Sequence, residues 1–144
     1  MCGIAAILWA EAEDAPPADD AKKAAVLKLA DRCSIARRGP DSIDACVPAP
    51  RVALAASVLT MRSKGDARQP ATDASGNALC WNGEWFQGGP LPDAADAPAV
   101  LALLAEVTAD APDAETAAAR AADALAARVR GPYALAFYLS LIHI

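Results

Sequence analysis

Alanine fills 39 of the 144 positions, and this limits the fold more than any motif does. The hydrophobic fraction is 55%, but with alanine set aside the larger apolar side chains make up little more than a quarter of the chain. Alanine buries little area at roughly 25 cal/mol per Å², and only 5% of residues are aromatic. One domain of ordinary size fits the length, with a thin core that a partner domain would reinforce. The formal charge of −5 argues against a nucleic-acid or anionic-membrane surface.

The apolar run Gly3 to Ala10 follows Met-Cys with no Lys or Arg before it, so no secretory signal is read. Tyr133 to Ile144 is too short for the ~20 residues of a membrane-spanning helix and reads as a buried strand. A cytoplasmic location is expected. The cysteines at 2, 33, 46 and 80 form no C-x-x-C pair, and His143 is the single histidine, so neither a zinc site nor a redox motif is spelled out. Free thiols are the expectation.

Residues Cys2 to Trp9 suit a strand, followed by an acidic, Pro-containing loop to Asp20. Asp19 or Asp20 is placed to cap a helix with Val26, Leu29, Ala30 and Cys33 on its apolar face and Lys22, Lys23, Lys28 and Arg32 elsewhere, stopping before Arg38-Gly39-Pro40. Arg51 to Met61 reads as a strand, Ser63 to Gly76 as a polar connection, and Ala78 to Trp81 as a short strand closed by a turn at Asn82-Gly83. Val100, Leu101, Leu103, Leu104 and Val107 share a helical face, Asp113 or Thr116 opens an Ala-rich helix towards Arg130, and a strand begins at Tyr133. This order suggests a mixed α/β layered domain without internal repeats.

Cys2 is the most informative residue for chemistry. Removal of Met1 would leave one residue carrying a thiol and a free α-amine, with ordinary pKa values of about 8.5 and about 8. The amine then serves its own thiol as general base, and no histidine is required. Gly3 permits close backbone approach beside it. The plainer reading is a small apolar residue buried near a chain start. Further along stand Arg37-Arg38-Gly39-Pro40-Asp41, Gln69-Pro70, Trp81-Asn82-Gly83-Glu84 and Gly131-Pro132-Tyr133-Ala134-Leu135-Ala136-Phe137-Tyr138. Each alone is a common turn or strand sequence.

Taken in order behind an N-terminal M-C-G-I, these motifs resemble the glutaminase domain of class II glutamine amidotransferases of the asparagine synthetase type. The resemblance spans residues 2 to 138. R-G-P-D with N-G-E is similar to the synthetases and unlike the sugar-phosphate or purine branches, and Trp85-Phe86 after N-G-E looks most like the divergent asparagine synthetase domain-containing proteins. The resemblance implies an α+β fold, the four-layer αββα sandwich of N-terminal-nucleophile hydrolases, over residues 1–144 and incomplete at the C-terminus. It implies a role in asparagine biosynthesis, glutamine as ligand, and a C-terminal synthetase domain as partner; no nucleic acid and no membrane are expected. No cofactor is implied within this domain, since ATP and Mg belong to the synthetase domain.

The resemblance also implies roles for single residues. Cys2 attacks the glutamine side-chain amide, and the thioester is hydrolysed to glutamate with release of ammonia. The Asn82 amide and the Gly83 backbone N–H serve as oxyanion donors. Asp96 holds the substrate ammonium and Glu84 lines the pocket. A substrate-binding arginine is implied where Val58 stands, and Arg62, four residues on, is the candidate to supply that charge if the strand continues. Arg38 and Asp41 pin their loop near the N-terminal strand. Plainer readings remain beside these: a hairpin turn at Asn82-Gly83, a helix N-cap at Asp96 and an exposed turn acid at Glu84. Two rival readings of the whole chain are a non-catalytic amidotransferase-like binding or regulatory module and an Ala-rich helical interaction protein.

Overall fold

The computed structural model describes residues 2–61, 68–89 and 94–140. It is a mixed α+β fold with strands β1 (Gly3–Leu8), β2 (Ser42–Ala49), β3 (Val52–Val58), β4 (Ala71–Thr72), β5 (Ala78–Gly83) and β6 (Tyr133–Tyr138). The helices are α1 (Asp19–Arg32), α2 (Asp96–Thr108) and α3 (Ala114–Arg128). The strands form two antiparallel sheets, ordered β1-β3-β2 and β4-β5-β6. An all-helical interaction protein is thereby excluded.

Strand alternation sends successive side chains to opposite faces, and the central strands show where the cores lie. On β3, Ala53 and Ala55 pack with Val26 and Ala30 of α1, whereas Leu54 and Ala56 pack with Ala78 and Cys80 of β5. On β5, Leu79 and Trp81 turn the other way, onto Val100, Leu101 and Leu104 of α2 and Leu125 of α3. One core thus lies under α1, one between the sheets, and one under α2 and α3.

Several local expectations are corrected. Ala18, not Asp19 or Asp20, takes the N-cap position of α1, and both aspartates fall in its first turn, where negative charge suits the helix dipole. Lys22 is buried, its ammonium 2.9 Å from Asp19, while Cys33 lies past the helix end and is exposed. Strand β2, absent from the sequence reading, is an edge strand containing Pro48 and irregular in register between Cys46 and Ala49; sheet edges and bulges are where proline is tolerated. Strand β3 ends at Val58 instead of reaching Met61. In α3 the expectation holds: Asp113 caps the helix, accepting from the Thr116 N–H at 2.7 Å. The expected final strand is found over Tyr133–Tyr138; positions 141–144, with His143, lie outside the described residues.

All four cysteines are free. Burial pushes the Cys46 thiol up to about 11, with Lys23 opposing and Asp44 adding to the shift. Burial likewise pushes Cys80 up to about 12. Burial thus favours the protonated form of both thiols of the inter-sheet core. Among the described residues, no helix is long and apolar enough to cross a membrane, and no group of three His, Cys, Asp or Glu side chains is placed to hold a metal.

Candidate functional site

The inter-sheet core opens at one end into a cavity of about 670 Å³, a size that suits a small-molecule ligand. The same alternation that builds the core also aims residues at this opening. Cys2 precedes β1 on the face of Ile4, and Asn82 ends the series Ala78, Cys80, Asn82 on β5. Val58 continues Leu54 and Ala56 on β3. Cys2, Val58, Asn82, Gly83, Glu84 and Asp96 all line this cavity, so residues from both sheets and from the start of α2 meet in one place.

Asn82 and Gly83 do not form a turn. They are the last residues of β5, paired with Ala134 and Tyr133 of β6, and this long-range ladder overrides the local turn preference of the dipeptide. Gly83 is required by packing, since a Cβ there would come within 2.5 Å of the Tyr133 Cβ and 2.8 Å of the Pro132 carbonyl oxygen. Trp81, two residues earlier on the same face, stacks on the Tyr133 ring at 5.1 Å.

The amides along this segment alternate in direction, as antiparallel pairing requires. Those of Glu84 and Phe86 donate towards the β6 side, to the carbonyls of Pro132 (3.2 Å) and Arg130 (2.8 Å). Those of Trp81 and Trp85 point the opposite way and are met by side chains: Trp81 donates to Gln69 Oε1 at 2.6 Å and Trp85 to Asp96 Oδ2 at 2.9 Å. The Gly83 N–H shares that direction and lies between the two. Strand β4 pairs only with Ala78 and Leu79, so among the described residues no strand runs alongside Gly83 on this side.

Asp96 is therefore not an N-cap. Ala95 holds that position, and the Asp96 carboxylate, on the first residue of α2, reaches across to the β5 extension. Gln69, in the quoted Gln-Pro pair but given no role from sequence, is a buried cavity residue that supplies β5 with the acceptor β4 is too short to provide. Its pairing depends on the tertiary approach of two segments, which the dipeptide alone does not signal. Glu84 is half-buried, one carboxylate oxygen out of solvent.

The Arg-Gly-Pro-Asp segment positions the wall opposite. A Cβ on Gly39 would lie 2.5 Å from backbone atoms of Ser57 and Val58, so only glycine lets the loop rest on the end of β3. Pro40 bridges to Val58, the Asp41 N–H donates to the Val58 carbonyl at 3.1 Å, and the Thr60 N–H donates to Asp41 Oδ2 at 2.7 Å. Asp41 thus pins the loop to the segment after β3, rather than to β1. Nearer β1, Ser57, opposite Gly3 in the register, donates through Oγ to the Ile35 carbonyl at 2.8 Å. Arg38 is exposed and does not line the cavity. Because β3 stops at Val58, strand alternation does not carry to position 62, and Arg62 lies outside the described residues. The described lining holds two carboxylates, on Glu84 and Asp96, and no Lys, Arg or His.

No protein-family model matches the chain, and no curated protein sequence matches it.

Proposed function

We propose that the chain is a glutamine-hydrolysing amidotransferase domain, with Cys2 as nucleophile once Met1 is removed. The observation that carries this is convergence: five residues singled out from sequence for separate roles, Cys2, Asn82, Gly83, Glu84 and Asp96, line one cavity. The α-amine of Cys2 takes the thiol proton, and the thiolate attacks the side-chain amide carbon. The oxyanion is received by the Asn82 amide and the Gly83 N–H. The C–N bond breaks, ammonia leaves with the proton, and water hydrolyses the thioester to glutamate. Asp96 and Glu84 attract the substrate ammonium. In this reading the three cores correspond to the four-layer αββα sandwich of N-terminal-nucleophile hydrolases. The ammonia is used by an asparagine synthetase-type domain carrying ATP and Mg.

The test is labelling of the processed protein with a glutamine-analogue diazoketone. One adduct on Cys2, lost in Cys2→Ser and accompanied by ammonia release from an amide substrate, is the expected result. A protein with a free N-terminal Cys2 that forms no adduct refutes it. A second reading, a non-catalytic binding module, draws on buried Val58 standing where the resemblance implies an arginine; it expects binding without an adduct.

A further inference from the structure

The layer between the sheets holds two thiols, Cys46 and Cys80, that the proposed hydrolysis does not use. Cys46 stands opposite Leu54 in the β2–β3 register, and residues directly opposite share a face of the sheet, so its side chain faces the second sheet as that of Leu54 does. It packs there on the cluster of Leu54, Ala56, Ala78 and Cys80. From the other side, Cys80 of β5 sends its Sγ across the layer, donating to the Ala55 carbonyl at 3.7 Å. The sulfur of the second sheet thus lies against the central strand of the first, one strand from Cys46, and the charge of Cys46 bears on it. Cys33 is exposed beyond α1 and Cys2 lines the cavity; neither belongs to this cluster.

Access to the pair is one-sided. Cys80 is fully buried, whereas Cys46 is half-buried on an edge strand, and nearby Lys23 favours its ionised form. The register breaks between Cys46 and Ala49, so the ladder is regular on only one side of Cys46. We propose that Cys46 and Cys80 are a latent disulfide, closed by a hydroperoxide and stapling the first sheet to the second. This inference does not depend on the amidotransferase reading. With hydrogen peroxide, the Cys46 thiolate attacks one oxygen, the O–O bond breaks, the sulfur becomes a sulfenic acid, and the displaced hydroxide takes up the thiol proton as water. Cys80 then attacks that sulfur, the S–O bond breaks, and a second water leaves with the Cys80 proton. Two thiols are oxidised and one peroxide is reduced. Because burial favours the protonated thiol at Cys46, the first step is slow and sets the rate. The edge strand is the part that adjusts as the sulfurs join.

The test exposes the folded full chain to hydrogen peroxide, then blocks remaining thiols, digests, and maps the peptides by mass spectrometry without reductant. The expected result is a Cys46–Cys80 peptide pair, lighter by two hydrogen atoms than the separate thiols, reversed by dithiothreitol and absent in Cys46→Ser and Cys80→Ser. In urea melts the linked protein is expected to show an unfolding equilibrium constant about 30-fold lower than the reduced protein, because the link constrains the unfolded chain. Cys80 joined to Cys2 instead, Cys46 carried on to the sulfinic acid with Cys80 still a thiol, or a link made only after unfolding in urea overturns the proposal. So does peroxide that oxidises the exposed Cys33 and leaves both core thiols untouched. A link that leaves the urea midpoint unmoved, or lowers it, overturns the staple.

Discussion

The two sheets are covered by cores of opposite character. Beneath α2 and α3 the second sheet meets large side chains, with Leu79, Trp81, Val100, Leu101, Leu103 and Leu104 all buried. Beneath α1 the first sheet meets Ala5, Ala45, Ala53 and Ala55, and the helix answers with Val26 and Ala30. The leucine-rich side gains its stability from buried area, roughly 25 cal/mol per Å². The alanine-rich side buries less area at its centre, and its larger side chains, Ile7, Trp9, Leu27, Ile35 and Val47, are only partly buried around it. The cavity takes parts from both sides, Cys2 from just before the first sheet and Asn82 and Gly83 from the second.

That contrast makes opposite substitutions harmful on the two sides. Leu104→Ala, at a fully buried position, is expected to cost about 4 kcal/mol in a denaturant melt, the largest effect. The reach of the second sheet into the site is sharpened by Asn82→Ala, expected to lower ammonia release about 100- to 1,000-fold in steady-state kinetics with the fold retained. On the other side, Ala55→Leu at a fully buried position is expected to cost about 2 kcal/mol by overpacking. A neutral or stabilising Ala55→Leu would break the comparison, because it would mean that the α1 side has room to spare.

A further expected effect, seen only at alkaline pH, concerns the layer between the sheets. The Cys80 thiol is pushed up from the ordinary thiol range to about 12 by burial, with Cys46 adding to the shift. Above pH 9 the unfolded chain gives up this proton before the folded chain does, so stability falls with rising pH. The slope approaches about 1.4 kcal/mol per pH unit until the folded thiol ionises near 12. Chemical melts from pH 8 to 11 should show this decline, and Cys80→Ala should lessen it, leaving the share that the raised Cys46 contributes.

Elements whose signals are local were legible from sequence. The apolar face of α2, the Asp113 cap of α3 and the start of β6 are each written in a few neighbouring residues. What was not legible depends on partners distant in the chain. Strand β2 hides behind Asp44 and Pro48, tolerated at an edge that only the assembled sheet defines. Asn82-Gly83 favours a turn until β6, fifty residues later, pairs with it. Lys22 reads as a surface charge because nothing in the helix pattern signals its burial or its pairing with Asp19. The residues proposed for the site stand out singly, through ordered motifs, whereas the hydrogen bond from the Trp81 N–H to Gln69 depends on two segments meeting in the fold.

The row of amides at Trp81, Gly83 and Trp85 carries one more consequence. The outer two are tethered by side-chain oxygens, and the chain is stitched to the β6 segment behind. The central dipole is thus aimed before anything arrives. In the proposed hydrolysis, an oxyanion received there would meet a donor whose neighbours already hold its strand in place.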